Sequence, residues 1–311
     1  MIGCALMNQS LGFISGEEID RLGFPAEIFD AMRWAFLAVS SGAVEIPARQ
    51  YVSLHQSQGN GLVMPAYVRS SPDGQYPDVY AVKMFNDIPG NRDAGRATFQ
   101  GVTVLFDILT GLPLATFDAA ALTALRTGVS TAIATDFLAH PDASVVGLVG
   151  AGPQGLSTLK ALSMLRTVSS VRVLTRHVSA VSELGFPVVS CSEVREVADG
   201  ADMIVMATNS ASPLLTLDMI SDGCHVSALG SYRPTMRELG ADLVAASRVW
   251  VDNLACLETS GDMIGSGVQP QVFGECLSLG VKSEGRTLYK SIGSAAQDAL
   301  AAWVCYRLLI D

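Results

Sequence analysis

The residues with the plainest chemical meaning stand in a row: Gly150-Ala151-Gly152-Pro153-Gln154-Gly155. They follow the apolar stretch Val145 to Val149 and open a run of helix formers, Leu156 to Leu165, so they are read as the turn from a strand into a helix. In that setting a G-x-G-x-x-G run is a dinucleotide fingerprint. Gly150 permits the tight turn, Gly152 lacks the Cβ that would block a pyrophosphate, and Gly155 lets the helix approach the strand. Pro153 and Gln154 begin the helix, where free N–H groups and the helix dipole favour a phosphate.

About twenty residues beyond such a loop, NAD enzymes carry an acid for the ribose 2′-hydroxyl. Here the second strand ends in Thr175-Arg176-His177, with no carboxylate. A guanidinium at this place can grip a 2′-phosphate, so NADP(H) is expected in preference to NAD(H). Arg176 can equally be a solvated residue at a strand end, and His177 an exposed loop histidine.

Such a loop needs a buried parallel sheet behind it. From Val145 onward, short apolar runs alternate with helical stretches: Val171 to Thr175, Met203 to Thr208, His225 to Leu229 and Val249 to Val251. That alternation is the mark of a doubly wound α/β domain whose strands are covered on both faces. The first part of the chain has a different texture. Ser15 with Glu18 forms a capping box, and an amphipathic helix follows from Ala26 to Val39. Tyr51 to Leu54, Leu62 to Val68, Val79 to Phe85 and Thr98 to Asp107 then read as strands of a mostly antiparallel sheet. A turn at Thr110-Gly111 joins Val102 to Leu109 with Leu114 to Phe117, and Ala119 to Leu138 is a long helix connecting the two parts. The fold class expected is α/β: a Rossmann domain at 125–293 and an α+β domain at 1–124, with a final helix at 294–311 returning to the latter.

A chain of 311 residues with 49% hydrophobic residues has apolar surface to hide in cores or an oligomer interface. Thirty acidic residues against twenty basic ones give a net charge of −10, and no run of Lys or Arg offers a stripe for nucleic acid. The six cysteines are scattered, without a CxxC pair or a nearby His, so neither a zinc site nor a disulfide framework is expected, and no metal. They read as reduced thiols of a cytoplasmic chain. Met1 to Leu11 lacks the basic start and apolar run of a signal peptide, and Ser294 to Ile310 is interrupted by Asp298 and Arg307, so no membrane span is expected.

Motifs along nearly the whole chain resemble those of the ornithine cyclodeaminase and mu-crystallin family. They are Ile46-Pro47-Ala48-Arg49, Met64-Pro65-Ala66-Tyr67, Val82-Lys83 with Pro89-Gly90-Asn91, and Leu122-Thr123-Ala124-Leu125-Arg126-Thr127. Beyond the glycine loop come Ala207-Thr208-Asn209, Gly230-Ser231-Tyr232-Arg233-Pro234, Arg237-Glu238-Leu239 and Lys290-Ser291-Ile292-Gly293 with Asp298. The resemblance implies a homodimer whose first domain and last helix build the substrate site. It also implies that Arg49, Lys83 and Arg126 bind a substrate carboxylate, Lys83 being the catalytic candidate. Paired donors of guanidinium groups suit a carboxylate, and a lysine can also orient or deprotonate an amine, so the expected ligand is a small anionic, amino-acid-like molecule. Thr208, Asn209, Ser231 and the backbone at Ile292-Gly293 would line the nicotinamide end, although small polar residues after strands also serve as caps.

Two departures bear on the reaction. Where ornithine cyclodeaminases hold the distal amine with a Glu, the aligned residue is Leu62, and where they place an Asp for ring closure, it is Ser231. Cyclisation needs groups that orient and deprotonate that amine. Reduction of a ready-made imine needs only a carboxylate clamp, a hydride donor and a dry pocket. The reading is therefore hydride transfer to or from the imine or amine carbon of a small carboxylated substrate, such as pyrroline-2-carboxylate. The rivals are an ornithine or lysine cyclodeaminase, in which an acid such as Asp87 substitutes, and a non-catalytic, cofactor-loaded binding protein.

Overall fold

Along Val79–Asp87, Val79, Ala81, Lys83 and Phe85 are buried while Tyr80, Met84 and Asn86 are exposed, the period of two of a half-covered strand. The computed structural model describes residues 11–280 and 285–310 and assembles a first sheet around this strand. Its members are β1 (Gly12–Ile14), β2 (Val44–Glu45), β3 (Gln50–Leu54), β4 (Gly59–Val68), β5 (Val79–Asp87), β6 (Phe99–Phe106) and β7 (Pro113–Asp118). The order is β1-β7-β6-β5-β4-β2, with β3 also paired to β4, and every pairing except β1 with β7 is antiparallel. The hairpin at Thr110-Gly111 forms, but β6 stops at Phe106 instead of continuing to Leu109. Asp107 Oδ1 accepts from the N–H groups of Leu109 and Thr110 and from the Thr110 hydroxyl, which folds the chain out of the strand.

Ser15 and Glu18 cap helix Gly16–Leu22 reciprocally, as their spacing predicts. The helix Ala26–Ser41 and the C-terminal helix Ala295–Leu309 pack on each other, and the latter lies across the inner face of β4, β5 and β6. Ser294 and Gln297 form a second capping box at its start.

The connecting helix spans Ala119–Leu138, capped by Asp118, whose Oδ1 accepts from Ala120 N and Ala121 N. It is buried on nearly all sides, and the division expected after residue 124 falls within its unbroken length. At Gly128 it meets the helix Pro153–Leu165 so closely that a Cβ would stand 2.2 Å from Ser157 Oγ. Glycine is what lets the two backbones touch.

The second sheet comprises β8 (Val145–Val149), β9 (Ser170–Leu174), β10 (Val188–Ser190), β11 (Met203–Met206), β12 (His225–Ala228), β13 (Arg248–Val251), β14 (Gln271–Val272) and β15 (Thr287–Lys290). All pairings are parallel, in the order β10-β9-β8-β11-β12-β15-β13-β14. The doubly wound class expected from the alternating pattern is what forms. Three of its strands are absent from the pattern read in the sequence, namely β10, β14 and β15, the last of which is four residues long, ends in a lysine, and slots between β12 and β13. Lys290 is tolerated there because its Nζ lies 3.1 Å from Asp262 Oδ2 and 3.2 Å from the Ala228 carbonyl.

Cys191, Cys224, Cys256, Cys276 and Cys305 are free thiols; Cys4 and the rest of the first ten residues lie outside the described part, and with them most of the stretch read as lacking a signal peptide. Among the described residues no helix is long and apolar enough to cross a membrane.

Candidate active site

The parallel sheet reverses its winding between β8 and β11, since the chain runs outward from β8 to β9 and β10 and returns to β11. A crevice lies outside the carboxyl ends of the strands at such a reversal. The glycine loop occupies it. Gly150 has φ 93, and a Cβ there would meet the Ala207 carbonyl at 2.4 Å, so the loop is pressed against the residue that follows β11. Around the Cβ position of Gly152 there is open space, with no heavy atom within 4 Å. Gly152 caps the helix Pro153–Leu165, Pro153 is its first residue, and Gln154 is half-buried beside them. An open cradle at the N-terminus of a 13-residue helix fits a dinucleotide pyrophosphate. Thr175 follows β9, its Oγ1 accepting from His177 N at 3.1 Å, while Arg176 and His177 are exposed.

Thr208 and Ser231 differ from the sequence expectation in one respect, for their hydroxyls are used internally. Thr208 Oγ1 and N both donate to Glu238 Oε1, at 2.9 and 2.7 Å, which also ends β11 at Met206 instead of Thr208. Ser231 is fully buried, its Oγ donating to the Met236 carbonyl at 2.6 Å. Asn209 is exposed beside them.

Lys83 projects from the inner face of β5, Arg126 from the connecting helix, and both are almost fully buried. They meet at Asp298 on the C-terminal helix: Lys83 Nζ is 2.7 Å from Oδ2, and Arg126 Nε donates to Oδ1 at 2.9 Å. Arg126 Nη1 also donates to Gln297 Oε1 at 3.1 Å, and Lys83 Nζ to Thr123 Oγ1 at 3.4 Å. Half-buried Arg49 arrives from the segment before β3 and donates through Nη2 to the carbonyls of Ile292 and Gly293. Gly293, at φ 76, roofs the Arg126 guanidinium, for a Cβ there would stand 2.6 Å from Nη2. The three cations that the motifs single out are thus gathered in one place, with Ile292-Gly293 between them. No residue among those described accepts from Arg126 Nη2.

Burial pushes the Lys83 ammonium down to about 7; Asp298 opposes the shift, while Arg126 and Arg49 add to it. Burial alone would raise the Asp298 carboxyl, but the Arg126 and Lys83 charges outweigh it and hold it below the usual carboxylate range. Asp298 is therefore an anion, and Lys83 is poised to change charge near neutrality. Sequence reading quoted Asp298 without giving it a role. The signal was an acid inside an otherwise apolar helix, which has to be paired if buried.

Acids that the motifs did not assign hold the strand ends together. Asp252 Oδ2 accepts from Ser291 Oγ at 2.6 Å and Gly293 N at 2.7 Å, which aims the Ile292 and Gly293 carbonyls at Arg49. Glu238, its carboxyl raised above the usual range by burial, also accepts from Gly230 N at 2.6 Å and so ties the ends of β11 and β12.

The glycine loop at the carboxyl ends of the parallel strands fits a dinucleotide, and the cationic cluster lies where β5, the connecting helix and the turn after β15 meet the C-terminal helix. The chain belongs to the ornithine cyclodeaminase/mu-crystallin family, whose model matches residues 13–310. It is 32% identical to the ketimine reductase mu-crystallin of Macropus fuliginosus, over 96% of this chain and 98% of that one. Among solved structures it resembles the Thermococcus litoralis Δ1-pyrroline-2-carboxylate reductase in complex with NADH and L-proline, with a TM-score of 0.87, 26% identity, and 96% and 97% of the two chains covered. It also resembles an archaeal alanine dehydrogenase dimer with bound NAD, with a TM-score of 0.85, 26% identity, and 96% and 95% covered.

Proposed function

We propose that this protein is an imine reductase: it uses a reduced nicotinamide dinucleotide to convert a small carboxylated imine, such as pyrroline-2-carboxylate, into the amino acid, and can run the reaction in reverse. The observation that carries the reading is the charge balance at Asp298. Lys83 and Arg126 both pair with one buried carboxylate, Asp298, while Arg49, close enough to lower the Lys83 pKa further, donates to neutral backbone carbonyls. Buried positive charge in excess calls for an anion, and a substrate carboxylate on Arg126 Nη2 and Arg49 supplies it.

A bound dihydronicotinamide supplies the hydride. The chain's own groups do the rest. Arg49 and Arg126 fix the carboxylate and with it the imine carbon. Lys83, as the ammonium, donates a proton to the imine nitrogen, and as the amine it takes one back when the reaction runs in reverse. Asp298 keeps Lys83 and Arg126 in register, and the helix that bears it covers them from water. Leu62 and Ser231 support the same reading: Leu62 is buried, and Ser231 is turned into the protein, so neither supplies the acid that closing a diamine requires.

We also propose NADPH as the preferred donor, because Arg176 stands exposed where the strand β9 ends and no carboxylate lies in Thr175-Arg176-His177. A homodimer is supported by the outer face of the first sheet. Phe13, Tyr80 and Met84 are 55%, 37% and 40% exposed on it, and Val82 and Val104 stand between them, an apolar surface that a second copy would cover. The reading is tested by following nicotinamide oxidation with a panel of cyclic imines and of 2-oxo acids with amines, with ornithine and NAD alongside. Turnover of the imines is expected. Silence across the panel, or release of ammonia from ornithine, overturns it.

A further inference from the structure

Three consecutive rungs on the inner face of the first sheet differ in character. Across β4, β5 and β6 they are Met64–Lys83–Thr103, Leu62–Phe85–Gly101 and Asn60–Asp87–Phe99. The first carries the cationic clamp. The second is apolar, with Leu62 and Phe85 both buried and the Phe85 ring 4.2 Å from that of Phe99. The third ends in an acid that is already neutralised: Asp87 Oδ2 accepts from Tyr232 OH at 2.7 Å and from Arg233 Nη2. Tyr232 and Arg233 belong to the loop beyond β12, so this contact joins the first sheet to a strand end of the second.

The two charged rungs lie on the same face of the first sheet. Residues 83, 85 and 87 share one face of a strand, and alternate Cα atoms lie about 6.6 Å apart, roughly the reach of a short amino-acid side chain. Lys83 leans along the strand in that direction, its Nζ 5.5 Å from the centre of the Phe85 ring. The loop that bears Tyr232 is also the neighbour of the clamp, because β12 pairs with β15 and Ala228 lies opposite Lys290, just ahead of Ile292-Gly293.

We propose that the Asp87–Arg233 pair forms the far wall of the substrate groove and is its specificity-determining element, selecting carboxylated imines whose distal end is uncharged. The assignment rests on the imine-reductase reading and adds the substrate class to it. A distal ammonium needs a carboxylate to receive it, yet Asp87 is engaged by Arg233 and Tyr232, and position 62 is leucine. A distal carboxylate needs a cation, yet Arg233 is engaged by Asp87. The apolar rung between suits methylene groups, and a wall whose acid and guanidinium neutralise each other, Arg233 Nε being left without a partner among the described residues, rejects a further full charge by leaving it desolvated.

The experiment measures binding to the protein–NADPH complex of three amino acids that differ only at the far end: L-norvaline (neutral), L-glutamate (anionic) and L-ornithine (cationic). Quenching of nicotinamide fluorescence reports binding, and imine turnover is recorded in parallel. The wild type should bind norvaline more tightly than either charged ligand. Asp87→Asn, which keeps the shape and frees Arg233, should shift the glutamate-to-norvaline ratio at least about tenfold towards glutamate. Arg233→Gln, which frees Asp87, should shift the ornithine-to-norvaline ratio similarly towards ornithine. Should Arg233→Gln fail to fold, the Asp87→Asn ratio decides alone. Ratios that stay within twofold, a wild type that prefers a charged ligand, or a wild type that binds none of the three overturns the assignment. A wild type that binds norvaline selectively yet reduces no imine removes the catalytic reading and leaves the wall's selectivity standing.

Discussion

Lys83 is the residue whose replacement tests most of this structure at once. Buried Lys83 exchanges its proton near pH 7, whereas an unfolded lysine does so near 10.5. If the ammonium donates to the imine, kcat/KM for reduction falls as pH rises through about 7, and for amine oxidation it rises over the same range. Stability moves with the same proton. A folded pKa below the unfolded one means that, between the two values, the unfolded chain holds the extra proton, so stability increases with pH in that window by about 1.4 kcal/mol per pH unit. The Lys83 contribution is thus constant below about pH 7 and complete above about 10.5. Between pH 7 and pH 9 the wild type should gain about 2–3 kcal/mol in urea unfolding relative to Lys83→Met. The variant should lose about a hundredfold or more in kcat/KM, together with the limb near pH 7. A variant that keeps that limb, or two proteins whose stabilities run parallel from pH 7 to 9, would refute both the depressed pKa and the role built on it.

Asp298→Asn leaves Lys83 and Arg126 without their shared counter-charge and should cost about 3–5 kcal/mol in urea unfolding at pH 7; an unchanged midpoint would contradict the pairing. Gly152→Val fills a space open to at least 4 Å, so thermal stability should stay within about 1 kcal/mol while nicotinamide binding is lost by titration. Arg176→Ala should weaken NADPH at least about tenfold and leave NADH within about twofold, and equal losses would remove the 2′-phosphate assignment. Met84→Asp on the exposed sheet face should give monomers in sedimentation while the fold persists by circular dichroism; an unaltered mass would place the dimer contact elsewhere.

The legible parts of this chain are those where local pattern and tertiary role coincide. The connecting helix at 119–138 and the strand at 145–149 carry their own propensity and apolar run, and both fall where the sequence places them. The glycine loop was legible because its residues answer a backbone demand, φ 93 at Gly150, that few other residues meet. β15 was hidden because its lysine is paid for by Asp262, 28 residues upstream, and no local pattern encodes a distant partner. Asp298, Asp252 and Glu238 escaped assignment for the same reason, since their roles exist only once strand ends and helices meet. Thr208 and Ser231 carry internal bonds that residue type does not reveal, because a hydroxyl beside a buried acid or carbonyl finds a partner within the protein.

The close seat of Gly128 on Ser157 puts Arg126 on an element that both sheets share. Its helix is pressed against the glycine-loop helix at that seat and also packs on the helices and strands around the first sheet, while Arg126 itself is tied to Asp298 on the C-terminal helix. An anion lodged beside that guanidinium would sit like mortar where two courses of brick meet.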